Sequence, residues 1–169
     1  VPEDSRGVGQ LLPITIAGEG EHRLEYYAED SLGNTESPHT TTINIDLAAP
    51  TASHTLDGLY ILNGWYGSPV TVNLAGQDNL SGIAHYEVNL NESGWLPTAA
   101  PPLISATGHH TLTYRAVDRA GNVSAEEIIT LNVDTSPPTT THVFSGSLAP
   151  NGWYHSLVTA TLTAADTGA

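Results

Sequence analysis

The chain repeats itself with a fixed period of 88 residues, and this period constrains its fold more than any other feature of the sequence. The tetrapeptide NGWY occurs at Asn63–Tyr66 and again at Asn151–Tyr154, so the offset is 151 − 63 = 88. The same offset aligns Gly20–Asn34 with Gly108–Asn122 without a gap. Of the 169 − 88 = 81 aligned positions, 27 are identical. An ungapped match of this length indicates tandem copies of one structural unit.

Each copy has the pattern of short β-strands separated by turns. Val70, Val72 and Leu74 alternate with polar residues, which places the three apolar side chains on one face of a strand. The stretch DRAGN predicts a hairpin turn, because Asp118 can accept backbone N–H bonds and Gly121 can adopt a positive φ. About seven such strands in one unit are typical of an immunoglobulin-like (Ig-like) sandwich. The predicted fold class is therefore all-β, with tandem Ig-like antiparallel β-sandwiches and an 88-residue repeat.

The phase of the repeat predicts three pieces. Residues 1–48 are the C-terminal part of one Ig-like unit, residues 49–135 are a complete unit, and residues 136–169 are the N-terminal part of a further unit. Proline-bearing connectors follow Asp46 and Asp134, and proline restricts the backbone to extended geometry. The connectors therefore favour a semi-rigid string of units.

The two incomplete pieces are complementary halves of one unit. The front half of one molecule and the back half of the next are expected to assemble a composite sandwich by strand complementation. Alternatively, the chain is one segment of a longer continuous array of units, which agrees with its beginning at VPED without Met. A composite unit would lack the counterpart of Gly82–Val88, which residues 1–12 would then have to replace.

Composition excludes several classes of function. The net charge is −14 and the basic side chains are four arginines, so no basic surface exists to neutralise the phosphates of a nucleic acid. No run of 18 apolar residues is present, so no membrane span is expected. Cys, Met and Lys are all absent, which rules out disulfides and Lys–Asn cross-links. This composition suits a protein exposed outside the cell, and we expect an extracellular or cell-surface location.

Several motifs carry a resemblance to a known family. The segments NGWY, VTVNLAGQDNLSGI, HTLTYRAVDRAGN and NVDTSPP, all within Asn63–Pro138, resemble bacterial Ig-like repeats of extracellular proteins. This family includes the OmpL47-type repeats and the Ig-like modules of surface-layer proteins and secreted glycosidases. The resemblance covers Asn63–Pro138 as a whole unit and the flanking pieces as partial units, whereas residues 1–12 lie outside the pattern. It implies a stalk, a spacer, an assembly unit or an adhesive tip.

Four aspartates recur at turns and connectors and are candidate calcium ligands: Asp30, Asp46, Asp118 and Asp134. Similar extracellular modules can bind Ca²⁺ at their junctions, where the ion stiffens the string. No EF-hand loop is present, and a turn needs one aspartate in any case. The calcium prediction therefore competes with a purely structural role in turns, and no other cofactor is predicted.

Three tryptophans raise the possibility of glycan binding, because an exposed indole can stack on a sugar ring. Trp65 and Trp153 occupy equivalent repeat positions, and a repeated tryptophan more often anchors the core of each unit. Trp95 has Gly7 as its counterpart and is the better candidate for a glycan contact, with Trp65 second. N-x-S/T sequons at Asn79, Asn91 and Asn122 are candidate glycosylation sites.

No catalytic motif is present: the sequence has no nucleophile elbow, HExxH, phosphate-binding loop or dinucleotide turn. We therefore predict a non-enzymatic, structural extracellular protein, the repeat unit of a surface fibre, stalk or surface layer. Its expected partners are copies of itself, joined head to tail. The alternative is a carbohydrate-binding or adhesive accessory module of a larger secreted protein, with a cell-surface glycan as partner.

Overall fold

The structure, a computed structural model, describes residues 13–166, which form 13 β-strands. Residues 1–12 and 167–169 lie outside the described residues. Among the described residues, no helix is long and apolar enough to cross a membrane. The strands are β1 (Gly20–Tyr26), β2 (His39–Ile45), β3 (Thr51–Asp57), β4 (Tyr60–Leu62), β5 (Trp65–Tyr66), β6 (Val70–Gln77), β7 (Ile83–Leu90), β8 (Leu96–Thr98), β9 (Leu103–Ile104), β10 (Gly108–Asp118), β11 (Glu127–Val133), β12 (Thr139–Ser145) and β13 (Thr159–Ala165).

Strands β3 to β11 build a sandwich of two sheets, which we call the central sandwich. One sheet has the order β3-β6-β9, and the other has the order β4-β5-β11-β10-β7-β8. All neighbours are antiparallel except β5 and β11, which run parallel. Two mainly antiparallel sheets in this order form an Ig-like sandwich, and the predicted all-β fold class is confirmed.

The core lies between the two sheets and follows the predicted alternation. Val70 and Val72 of β6 project inward from the smaller sheet, and both are fully buried. From the larger sheet, β10 and β11 contribute the inward residues that complete the core. These are Leu112, Tyr114, Ala116, Leu131 and Val133. Burying each large apolar side chain contributes about 1.5–3 kcal/mol, so this layer is the main source of stability in the sandwich.

The predicted turn at DRAGN is present at the end of β10. Asp118 Oδ1 accepts hydrogen bonds from the N–H groups of Gly121 at 2.7 Å and Asn122 at 2.8 Å. Gly121 has φ of 96°, a conformation that side chains disfavour and glycine accepts. The repeat counterpart Asp30 makes the same kind of turn, with bonds to the N–H groups of Leu32 and Asn34.

Two separate hairpins flank the central sandwich. β1 pairs with β2 in the register that β10 and β11 adopt, since Gly20↔Ile45 and Gly108↔Val133 are counterparts. β12 pairs with β13 in the register of β3 and β6. The 88-residue period is therefore also a period of strand pairing. The division of the chain into units at residues 48 and 135 stays a prediction.

Candidate functional site

A polar region in which distant segments share hydrogen bonds lies where the first connector meets the central sandwich. We call this region the junction. Asp46 directly follows β2, and its Oδ2 accepts a hydrogen bond of 2.9 Å from the N–H of Ser81, in the turn before β7. The backbone carbonyl of Asp46 accepts a bond of 3.1 Å from Asn122 Nδ2, in the turn after β10. One residue of the connector is thus bonded to two turns of the central sandwich.

Three carboxylates converge at the junction. Asp46, Asp78 and Asp118 each offer an oxygen, and these oxygens lie within 4.8 Å of one another. Asp118 is buried, whereas Asp46 and Asp78 are partly buried. Each carboxylate accepts N–H bonds within its own turn, which offsets part of the repulsion between the three charges.

Carboxylate oxygens brought together from three segments are the kind of ligand that calcium takes, at Ca–O distances of about 2.3–2.6 Å. These three residues are the ones that could hold a metal ion at the junction, and an ion there would bridge the connector and two turns. Asp78 was not among the sequence candidates. The repeat could have identified Asp78 as a candidate, because Asp166 occupies the equivalent position.

Of the four predicted calcium ligands, the structure brings together Asp46 and Asp118. Asp30 lies between β1 and β2, where its carboxylate accepts hydrogen bonds from its own turn and from Asn34 Nδ2, the latter at 2.7 Å. Asp134 follows β11, and its Oδ1 accepts the N–H of Ser136 at 3.0 Å. Neither belongs to the cluster of three carboxylates. Under the 88-residue offset, however, Asp30 is the counterpart of Asp118, and Asp134 is the counterpart of Asp46.

The hydrogen bonds at the junction lower the pKa of Asp46 below its ordinary value. The largest cause is the Ser81 hydroxyl beside the carboxylate, followed by the Ser81 N–H, while partial burial acts in the opposite direction. The hydroxyl oxygen is buried without a well-aligned hydrogen bond, whereas the N–H bond has good geometry at 2.9 Å. The Ser81 N–H bond therefore stabilises the ionised carboxylate of Asp46 more firmly than the Ser81 hydroxyl does.

A second polar pair connects the two sheets of the central sandwich. His54 of β3 and Tyr114 of β10 share a hydrogen bond of 2.7 Å between Nδ1 and the phenolic oxygen. Burial raises the pKa of Tyr114, and repulsion from Glu127 adds to the shift, so the hydroxyl stays protonated. The sequence pattern did not predict this pair, although both residues recur in the repeat, as His142 and Tyr26.

The tryptophans occupy three different environments. Trp65 is partly buried in β5, with its ring 5.2 Å from that of His109. Its counterpart Trp153 is 75% exposed. Trp95, the main glycan candidate, is partly buried outside the core, and the Arg115 guanidinium lies 4.1 Å from the centre of its ring. Arg115 therefore covers one face of this indole.

The three sequons also differ. Asn79 is exposed, next to the junction. Asn91 is exposed, but its side-chain oxygen accepts the N–H of Thr111 at 2.9 Å. Asn122 is partly buried, and its Nδ2 donates to Asp118 Oδ2 and to the Asp46 carbonyl. A glycan on that nitrogen would replace one of its two N–H groups and so remove at least one of these bonds. Glycosylation at all three sites stays a prediction.

Comparison with known proteins finds similarity among solved structures. No protein-family model matches the chain, and a search of curated proteins finds no match. Among solved structures, the chain is similar to the fibronectin(III)-like modules of CbhA from Clostridium thermocellum, with 18% identity and a TM-score of 0.42. The match covers 71% of this chain and 65% of that structure, so the chain spans less than two thirds of its length. The fold assignment depends on the strand order and the core described above.

Proposed function

We propose that this chain is a structural extracellular segment, a series of Ig-like units that forms part of a surface fibre, stalk or surface layer. The observation that supports this proposal is the junction, where Asp46 at the end of one unit is bonded to Ser81 and Asn122 of the next. A connector held in this way transmits the orientation of one unit to its neighbour. A string of such units is suited to carrying load or bridging distance.

The connector itself favours the same function. It comprises residues 46–50, and its last residue, Pro50, is buried. Proline and the restriction that it places on the preceding residue reduce the number of conformations that the connector can adopt. A short and restricted connector keeps successive units at a defined spacing, and this role requires no catalytic residue.

The partners in this proposal are copies of the same unit. The two flanking hairpins have the strand pairing of the two halves of the central sandwich, yet neither has a fully buried apolar face: β12–β13 is exposed throughout, and β1–β2 is partly exposed. Completion of these halves, within one chain or between chains, would bury those faces and extend the string. The proposal therefore includes head-to-tail joining of units.

Electron microscopy of native material tests the proposed function. Antibodies raised against the chain, coupled to gold, are applied to intact cells of the source organism and to their isolated envelopes. We expect label outside the cell on filaments or on a regular layer, with a spacing of one unit along the assembly. Label confined to the cell interior, or found on globular particles alone, would contradict the proposal.

Glycan binding by an adhesive accessory module is a second candidate function. The observation in its favour is that Trp95 lies outside the core and has no tryptophan counterpart in the repeat. Because Arg115 covers one ring face, only the opposite face is available for stacking on a sugar. A glycan array probed with the wild type, Trp95→Ala and the control Leu96→Ala tests this function. Binding lost only in Trp95→Ala supports it, and an array without binding excludes it for the glycans tested.

A further inference from the structure

The central sandwich shows how two halves of one unit fit together. Its front half includes the β3–β6 pair, and its back half includes the β10–β11 pair, with the core between them. The repeat places a second front half at β12–β13, which we call the front hairpin, and a second back half at β1–β2, which we call the back hairpin. The intersheet packing of the central sandwich is therefore a template for contact between these two hairpins.

Both hairpins present the residues that the template buries. In the front hairpin, Val158 precedes β13 and is 43% exposed, whereas its counterpart Val70 is fully buried. In the back hairpin, Tyr26 is 51% exposed, whereas its counterpart Tyr114 is 1% exposed. Alternation along β12 separates an inward face, which includes Phe144, from an outward face, which includes Val143. The two faces match those of β3.

The template also supplies a polar contact. The hydrogen bond between His54 and Tyr114 joins the front half to the back half inside the central sandwich. The counterpart of His54 is His142 in the front hairpin, and the counterpart of Tyr114 is Tyr26 in the back hairpin. Apolar faces alone can slide past each other, whereas a hydrogen-bonded pair at one position defines the register.

The strand directions indicate that these hairpins meet between molecules. β3 begins at the end of the central sandwich where β10 finishes, and β11 finishes where β10 begins. The two connectors, residues 46–50 and 134–138, therefore leave from opposite ends of the sandwich. β10 is 11 residues long, which corresponds to about 37 Å. Each connector extends about 18 Å at most, so the two hairpins of one molecule are attached near opposite ends of the sandwich.

We propose that the front hairpin of one molecule packs on the back hairpin of a second copy of this chain, with His142 of one hydrogen-bonded to the Tyr26 hydroxyl of the other. This inference extends the proposed function, since it identifies the residues that join successive subunits. A contact between two different surfaces does not close on itself, and it generates a linear filament. The two hairpins themselves supply no counterpart of β7, and we expect association through them alone to be weaker than the cohesion of the central sandwich.

Sedimentation velocity of the full chain over a wide concentration range tests the contact. We expect the mean mass of the wild type to rise with concentration. Phe144→Asp places a charge on the inward face of β12 and should abolish this rise. Val143→Asp is the matched control, because Val143 is the adjacent residue, is 67% exposed and lies on the outward face. A wild type that stays monomeric, or equal loss of association in both variants, would overturn the proposal.

Cross-linking tests which surfaces meet, even where a variant alters folding. The chain has no cysteine, so each introduced thiol is unique. Chains carrying His142→Cys and chains carrying Tyr26→Cys, distinguished by tags of different mass, are mixed and treated with a short bismaleimide. We expect the mixed dimer as the main product, and a much lower yield when Val143→Cys replaces His142→Cys. A majority of like-with-like dimers would overturn the proposed pairing.

The two proposals can fail separately. A monomeric chain in sedimentation, together with a labelled surface layer in electron microscopy, would overturn only the contact between copies. Association through His142 and Tyr26 together with label inside the cell would instead overturn the extracellular function and leave the contact in place.

Discussion

At Asn122, a single side-chain nitrogen serves two acceptors that belong to different parts of the chain. It donates to Asp118 Oδ2 at 2.8 Å, within its own turn, and to the Asp46 carbonyl at 3.1 Å, in the connector. Within residues 13–166, its repeat counterpart Asn34 makes only the first kind of bond, to Asp30 Oδ2 at 2.7 Å. The same residue in the same turn therefore has an additional role at the junction.

This difference predicts the effect of removing the amide. Asn122→Ala removes the side-chain donor to Asp118 Oδ2 and to the Asp46 carbonyl, while the backbone N–H bonds to Asp118 Oδ1 remain. We expect a loss of about 1–3 kcal/mol in the free energy of unfolding. Urea unfolding followed by circular dichroism measures the loss. Asn34→Ala is the matched control and should cost less, because its turn is exposed and water replaces the lost bond. Equal losses in the two variants would contradict a role for Asn122 at the junction.

At the scale of elements, the junction joins a connector to two turns through charged groups. The lowered pKa of Asp46 means that the folded state binds a proton less readily than the unfolded chain. The stabilisation is therefore complete above the ordinary aspartate pKa of 3.8 and is lost as the pH falls through the lower folded value. At neutral pH the connector is held in place.

Acidification should therefore loosen the junction. We expect the melting temperature of the wild type to fall more steeply below about pH 3.8 than that of Asp46→Asn, which cannot titrate. Asp134→Asn is the control, since Asp134 bonds to the N–H of Ser136 in its own connector. Thermal unfolding at a series of pH values measures both slopes. Parallel curves for the wild type and Asp46→Asn would show that Asp46 is not the titrating group.

Calcium binding is predicted at the same junction. If calcium binds to Asp46, Asp78 and Asp118, adding it should raise the melting temperature of the wild type, because a ligand that binds only the folded state stabilises that state. Asp78→Asn should remove this shift while it keeps a side-chain oxygen that can accept the bonds within the turn. Differential scanning calorimetry with calcium and, as a control for ionic strength, with sodium measures the effect. The same small shift with both salts would argue against a calcium site.

At the scale of the whole molecule, stability is concentrated in the central sandwich. Its two sheets bury Val70, Leu112 and Leu131 against each other, whereas the strands of the front hairpin are exposed throughout and those of the back hairpin contain no fully buried residue. An isolated two-stranded hairpin is marginally stable at best in water. Among the described residues, the central sandwich is therefore the stable unit, and the two hairpins need further contacts for their stability.

Limited proteolysis should reveal this difference. With a protease that cuts after glutamate, we expect early cleavage at Glu25 in β1 and late cleavage at Glu87, which is partly buried in β7 and bonded to Arg115 at 2.7 Å. Mass spectrometry of the fragments over time measures the order of cleavage. The test is made at low concentration, where hairpins that pair between molecules are free. Simultaneous cleavage at both sites would contradict a central sandwich that is more stable than its flanks.

The sequence by itself determined the features that depend on neighbouring residues. The alternation around Val70 and Val72 predicted a strand with one buried face, and Asp118 with Gly121 predicted the turn, because both depend on local geometry. Only the tertiary structure decided which distant groups meet. His54 and Tyr114 are 60 residues apart, and Asp46 lies 76 residues from Asn122. Their contacts depend on which ends of strands from different sheets come together, and a periodic pattern carries no information about that packing.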